Sequence, residues 1–429
     1  MSVARFALLS AFAVAPSAAA QSLPPIRDLG PAIATTTESF RGMPSVRALS
    51  DGRVLISDLA ARKLVAYDSM LSKSTPFLTA TGPVASQYPS RGGALLPLPG
   101  DTTLVFDAMS ASFVVMDPRG QVARVISMPR TYDAYILQSP QTGLPVIDNK
   151  MRMIYKTRMP PTGFSRATGN AIYPDSTAVI AVSFDTRQAD TIAWMKIPAP
   201  VPTVSNRDLD GRWRYTSIQP PFELTDEWAA LDDGTVAIIR WRDYHVDWVK
   251  PDGTKESSPR TAWNWVRMTD DEKARFIDTL KVVLQKNDST QQSSMMMFGM
   301  GPSSMPIWET LTVAPSEVPD YPPPFVPRAT RVDPENRIWI LERAPVGSKA
   351  PLVYDVIDRN GQIVDRVRMP PNAAVLGFGP GGSVYLSITP QNMSLAASMV
   401  QRTDIAAPPG AAQAPVKVAR AVLSKKVRQ

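Results

Sequence analysis

Residues 51–68 read Asp51-Gly-Arg-Val-Leu-Ile-Ser-Asp58-Leu-Ala-Ala-Arg-Lys-Leu-Val-Ala-Tyr-Asp68. An Asp-Gly turn opens a β-rich run, Arg53 to Asp58. A short polar gap follows, then a second apolar run, Leu64 to Asp68. Asp-Gly ahead of a β-rich run is a strong short-range hairpin signal. The same grammar recurs along the chain. Thr102 to Asp107 (TTLVFD) is followed by Phe113 to Asp117. Arg152 to Tyr155 is followed by Ala178 to Asp185. Asp233-Gly234 precedes Thr235 to Arg240, then His245 to Val249. Arg337 to Glu342 precedes Val353 to Asp358. Gly381-Gly382 precedes Ser383 to Leu386, with Met399-Val400 as a weak second run.

The repeats start at 53, 102, 152, 235, 337 and 383. Three intervals, 49, 50 and 46 residues, match the ~40–50-residue unit of a four-stranded propeller blade. The intervals of 83 and 102 residues are a unit plus an insertion. The chain has 42 prolines in 429 residues, and some punctuate the repeat: Met128-Pro129, Ile197-Pro198 and Met369-Pro370 each close a unit. Proline suits an edge strand, where its missing N–H costs no ladder bond. One such unit cannot bury both of its faces; a ring of them does. The expectation is an all-β, six-bladed β-propeller over residues 32–402, with one helical insertion after blade four. Residues 32–40 (AIATTTESF) are assigned to the sixth blade, closing the ring. Two separate β-sandwiches are the competing architecture.

Asp51-Gly52-Arg53-Val54 through Asp58, Asp233-Gly234-Thr235-Val236 and Asn336-Arg337-Ile338-Trp339-Ile340 resemble the six-bladed propellers of the broad NHL-repeat and gluconolactonase-like type. Pro322-Pro323-Pro324-Phe325 resembles a segment of exported bacterial propellers of uncharacterised function. The resemblance implies a fold and leaves the activity open, because propellers host scaffolds, receptors, hydrolases and lyases alike. Gluconolactonase-like enzymes hold a divalent cation near the channel with carboxylate and amide ligands, and no matching set carries over. Propeller lyases of the streptogramin-cleaving type rely on histidine, and this chain has a single one, His245.

Composition narrows the chemistry further. With no Cys there are no disulfides, thiolate metal sites or Cys nucleophiles. One His rules out multi-His metal sites, and no Gly-x-Ser-x-Gly elbow accompanies it. No phosphate-binding Gly-rich loop, EF-hand or His-Glu-x-x-His occurs either. The start reads as a secretory signal over 1–20: Arg5, an apolar stretch from Phe6 to Val14, then Ala18-Ala19-Ala20 ahead of a cut. That stretch is too short for a membrane span, which needs ~20 residues. The expected compartment is therefore periplasmic or extracellular. The net charge of +7 is concentrated at the end: five basic residues and Asp404 lie in 403–429. That Ala/Pro-rich basic segment is expected to be a disordered tail. The body carries no nucleic-acid footprint of basic residues interleaved with aromatics.

Candidate site residues follow from blade geometry. The ends of the second strands fall on one rim, at Asp58, Asp107, Thr157, Arg240, Glu342 and Ile388, with Arg343 beside Glu342. Two readings stand for the carboxylates: ligands of a cation such as Ca in the central channel, or caps of their own hairpins. Blade four holds the densest cluster, Arg240-Trp241-Arg242-Asp243-Tyr244-His245-Val246-Asp247-Trp248. Trp241, Asp243 and His245 beside Arg240 suit stacking and hydrogen bonding to a ligand; the plain alternative is an interface between blades. The insertion, 266–286, begins with a capping box, Thr269 to Glu272, and continues as a helix with Ala274, Ile277, Leu280 and Leu284 on one face. Residues 287–320 read as a Met/Pro-rich loop. Its Met295 to Met305 segment is either an apolar contact surface or a Cu(I) site. Residues 159–176 and 199–222 read as long surface loops.

The functional expectation is a binding propeller for a small molecule or a protein, without catalysis and with no resident cofactor. The alternative is a divalent-metal-dependent lactonase- or esterase-like hydrolase using channel carboxylates such as Asp58, Asp107 and Glu342.

Overall fold

The computed structural model describes residues 23–423 apart from 42–43, 82–86, 90–91, 138–142, 165–170, 199–200, 202, 298–305, 346–347, 349–350 and 389–414. The signal segment 1–20 and the run Met399-Val400 lie outside the described residues.

Among the described residues, six sheets follow one another along the chain, each built on four antiparallel strands. The first is Ser45–Ala48, Val54–Asp58, Lys63–Tyr67 and Ser74–Leu78. The second is Gly92–Pro97, Thr103–Asp107, Ser112–Met116 and Val122–Ser127. The third is Val146–Ile147, Arg152–Lys156, Ser176–Ser183 and Ala189–Lys196. The fourth is Glu227–Ala230, Val236–Arg240, His245–Val249 and Lys255–Ser257. The fifth is Arg331–Val332, Ile338–Leu341, Val353–Ile357 and Ile363–Arg368. The sixth joins both ends of the chain: Ala373–Gly379, Ser383–Ile388, Pro415–Val422 and then Ala34–Thr35.

The packing shows why the second strands carry consecutive apolar residues rather than alternating ones. A sheet buried on both faces needs an apolar side chain on each. Leu55 faces the core shared with the second sheet, while Val54 and Ile56 face the core shared with the sixth. Ala237 and Ile239 face the fifth sheet, while Val236 and Ile238 face a core reaching the third and second. Trp339 and Leu341 pack towards the sixth sheet, Ile338 and Ile340 towards the fourth. Every neighbouring pair shares a core, and the last shares one with the first, so the sheets form a closed propeller. Each buried Val, Leu or Ile contributes about 1.5–3 kcal/mol. Glycine serves the turns: Gly52 and Gly234 both sit at φ +87°, which L side chains rarely adopt.

The N-terminal segment joins the sixth blade as expected, through Ala34–Thr35 and Phe40–Arg41 on Pro415–Val422. Upstream, Ile26–Asp28 adds a parallel strand to the outer edge of the fifth blade.

Three expectations are corrected. The 403–429 segment contains strand Pro415–Val422, whose Val416, Val418, Ala419 and Ala421 are buried in the sixth blade. The 199–222 stretch supplies two strands, Thr203–Arg207 and Trp213–Gln219, and the supposed loop 287–320 supplies a third, Ile307–Thr312. Together they make a small sheet outside the ring. The inserted helix is longer than expected, Asp270–Met297. It therefore includes Met295 to Met297, while 298–305 lie outside the described residues. It packs Phe276, Ile277, Leu280, Val283 and Leu284 against Phe222, Met268 and Val318, a core separate from those of the ring. Its start is the anticipated capping box, with Glu272 accepting from the Thr269 amide at 2.8 Å. No helix among the described residues is long and apolar enough to cross a membrane.

Candidate functional site at the junction of blades four and five

The hairpin joining Val236–Arg240 to His245–Val249 turns at residues 241–244, with Tyr244 at φ +46°. The turn separates two sets of side chains. On one side stand Arg240, Asp243, His245 and Asp247. On the other, Tyr244 reaches into blade five.

Arg240 is clamped between two carboxylates. Its Nη1 donates to Asp226 at 2.7 Å and its Nε to Asp247 at 2.7 Å. Burial works against the Arg240 charge, but the bonds and charges of Asp247 and Asp226 outweigh it and hold the guanidinium above its ordinary value. Burial likewise opposes the Asp247 charge; the hydrogen bonds from Ser257 and Arg240, with the Arg240 charge, keep that carboxyl below the usual range. Asp226 also ties blade four to blade three, accepting the Lys196 amide at 2.9 Å. His245 lies between Asp243 at 2.7 Å, through Nδ1, and Asp247 at 3.2 Å, through Nε2. The solvent end of this network is Asp243, facing the exposed Arg260 at 3.3 Å. Trp241 is half-buried under Arg242, whose guanidinium lies 5.7 Å from the ring centre, and its amide approaches Asp226 at 3.4 Å.

Tyr244 is buried and donates its hydroxyl to Asp355 at 2.7 Å, across the blade boundary. Its ring is wedged between Trp263 and Phe325, with centroids 5.9 and 5.7 Å away. Arg366 forks both oxygens of Glu342 at 2.9 and 3.0 Å and reaches Asp355 at 3.2 Å. One guanidinium thus serves two carboxyls. Burial pushes the Asp355 carboxyl well above its ordinary value; the charge of Glu342 and a bond to it push the same way, while Tyr244 and Arg366 oppose.

The other candidate positions are engaged locally. Asp58 accepts the Ala61 amide at 2.9 Å, and Asp107 accepts the Met109 amide at 3.1 Å and the Ser110 hydroxyl at 2.6 Å. Both therefore cap their own hairpins, the second of the two readings above. Arg343 is buried, donating Nε to the Pro323 carbonyl and Nη2 to the Phe325 carbonyl, both at 3.0 Å, over the Phe222 ring. Among the described residues, no three His, Asp or Glu side chains are grouped to hold a metal ion.

The structure brings together Arg240, Asp243 and His245. It adds Asp226, Asp247, Tyr244, Asp355 and Arg366, which the sequence reading did not single out as site residues. Two of these carried a signal: Asp247 and Asp355 each interrupt an apolar third strand, Val246-Asp-Trp and Tyr354-Asp-Val.

No family model matches the chain, and no curated protein matches it in sequence. Solved structures do align over most of its length. A member of the DUF4221 family from Bacteroides vulgatus is 10% identical, covering 90% of this chain and 94% of that one, with a TM-score of 0.43. A calcium-binding protein, regucalcin, from Agrobacterium tumefaciens is 10% identical over 93% and 94%, at 0.36. A gluconolactonase from Xanthomonas campestris is 10% identical over 92% and 99%, at 0.37. No residue role is transferred from any of them.

Proposed function

We propose that the protein is an exported propeller that binds a polar small molecule or a polypeptide at the blade four–five rim, without catalysing a reaction. The observation that carries this reading is the placement of His245. Each imidazole nitrogen faces a carboxylate, Asp243 or Asp247. A general base must reach the proton it removes, and here both nitrogens are turned to internal partners. The arginines are neutralised in the same way, Arg240 by Asp226 and Asp247 and Arg366 by Glu342. What remains towards solvent is a surface of Trp241, Arg242, Asp243 and Arg260, suited to hydrogen bonding and stacking.

The test pairs a ligand screen with a panel of lactone and ester substrates, each run with and without added Ca or Mg. Saturable binding that weakens in Trp241→Ala and Asp243→Ala, with no turnover, is the expected result. Turnover that appears with a divalent cation and disappears with a chelator would replace this reading with the metal-dependent hydrolase. Export is tested by N-terminal sequencing of the mature protein, which should begin at Gln21.

A further inference from the structure

Beyond blades four and five, the segments joining second to third strands in blades one, two and three leave the ring on one face. Each presents apolar side chains to solvent: Leu59 in blade one, Met109 in blade two, Phe164 and Ile172 in blade three. Tyr132 and Tyr135 join them from the connection between blades two and three. All six are about half exposed or more, Phe164 reaching 70%, and none belongs to a core between blades. Single exposed apolar residues are ordinary on a protein surface. Their recurrence at one topological position in three consecutive blades marks an interaction surface.

The charges of this surface are arranged for an anionic neighbour. Its carboxylates are turned inward: Asp58 to the Ala61 amide at 2.9 Å, Asp107 to the Met109 amide at 3.1 Å, and Asp133 to the Tyr155 hydroxyl at 2.6 Å and Arg130 at 2.9 Å. Arg62 and Arg158, by contrast, are exposed and meet no carboxylate among the described residues. Two guanidinium groups also lie beside rings, Arg130 at 4.5 Å from the centre of Tyr132 and Arg158 at 6.0 Å from that of Tyr173. Arginine and tyrosine next to aliphatic and Phe side chains is the mixture suited to the boundary between lipid headgroups and acyl chains. A protein partner would need a separate pocket for each apolar residue across three blades, whereas lipid moves aside for them.

We propose that this face of blades one to three docks on the surface of a bilayer containing anionic lipid. The apolar side chains enter the acyl boundary, and Arg62 and Arg158 meet headgroup phosphates. The attachment is interfacial and reversible, because it rests on a few side chains and not on a membrane span.

The test is co-sedimentation of the full mature chain with vesicles of phosphatidylcholine and phosphatidylglycerol in equal parts, against vesicles of phosphatidylcholine alone. Binding should favour the anionic vesicles and weaken as salt is raised. Met109→Ser combined with Phe164→Ser should weaken it by ~10-fold or more, the loss of two apolar side chains from the acyl boundary. Arg62→Gln combined with Arg158→Gln should weaken it by ~10-fold at low salt. All four positions are exposed, so both variants should melt as the wild type does. Met70→Ser, at an exposed turn on the opposite face, should bind as the wild type does. No binding to either vesicle would overturn the proposal and leave this face to a protein partner. Equal binding to both vesicles, unchanged binding in the two double variants, or an equal loss in Met70→Ser would overturn it as well. The blade four–five reading is tested separately, because Trp241→Ala and Asp243→Ala leave these three blades intact.

Discussion

Asp148, Asp208 and Asp333 each stand four residues before an arginine and perform the same two tasks. One oxygen accepts the arginine's own amide, at 2.8, 2.8 and 2.9 Å, and the other accepts its Nε, at 2.8, 3.1 and 2.7 Å. The carboxylate therefore closes the turn and neutralises the arginine that follows it, an Asx-type use of a short acid. Asp355 is the opposite case, a carboxyl with too few cations around it. Its raised pKa means that the folded protein keeps a proton which the unfolded chain releases near pH ~3.9. The resulting stabilisation is complete below that pH and is lost as pH rises towards the folded value. Asp355→Asn keeps an acceptor for Tyr244 and removes the titration. The urea midpoint of the wild type relative to this variant should therefore be highest near pH 4 and fall steadily towards pH 7 and above. A difference that does not change with pH would show that Asp355 is ionised throughout.

The elements inserted between blades behave as a unit of their own. The long helix packs its apolar face on Phe222, Met268 and Val318, while Lys273 and Arg267 both pair with Asp320. Asp288 then fixes the edge of the small sheet, accepting the Thr310 amide and hydroxyl at 2.8 Å each. Because this core is separate from the cores between blades, damage to it should stay local. Leu280→Ala removes a fully buried side chain, a change costing ~2–5 kcal/mol in such settings. Hydrogen exchange should accelerate across 270–290 and 307–312 and stay unchanged in strands such as Val236–Arg240. Acceleration throughout the ring would show that the insertion is part of its cooperative unit. The helix was legible because a capping box and a 3.6-residue apolar period coincide at its start. The small sheet was hidden, because Thr203–Arg207 and Trp213–Gln219 are mostly polar or half-exposed and bury no continuous face. The site was legible in the same uneven way. Arg240, Asp243 and His245 lie within six residues of one another, whereas Tyr244 and Asp355 meet across 111 residues and two blades. Only the packing of blade upon blade brings that pair together.

At the scale of the whole molecule, the ring depends on how its ends are joined. Sheets sharing cores in a circle leave a first and a last element that must be fastened, and here the sixth blade takes its third strand from the C-terminal segment and its fourth from the N-terminal one. Composition hid this, because a segment rich in Ala, Pro and Lys reads as solvated tail, while the alternation of Val416 and Val418 with exposed neighbours is too brief to outweigh it. The basic residues there are partly structural. Arg420 donates to the Ser383 hydroxyl at 3.0 Å and to the Ser69 carbonyl of blade one at 2.9 Å, bridging the seam. Truncation before Pro415 therefore removes the full ladder to Ser383–Ile388, the partner of Ala34–Thr35 and the buried Val418, Ala419 and Ala421 at once. Both cores flanking the sixth blade would open, so the truncated chain should lose its cooperative thermal transition or aggregate. Truncation after Leu423 keeps every one of these contacts and should melt as the intact chain does. If the two truncations melt alike, the ring is closed by its inner strands alone. The C-terminal strand would then be dispensable to the fold, and Arg420 would serve no purpose at the seam.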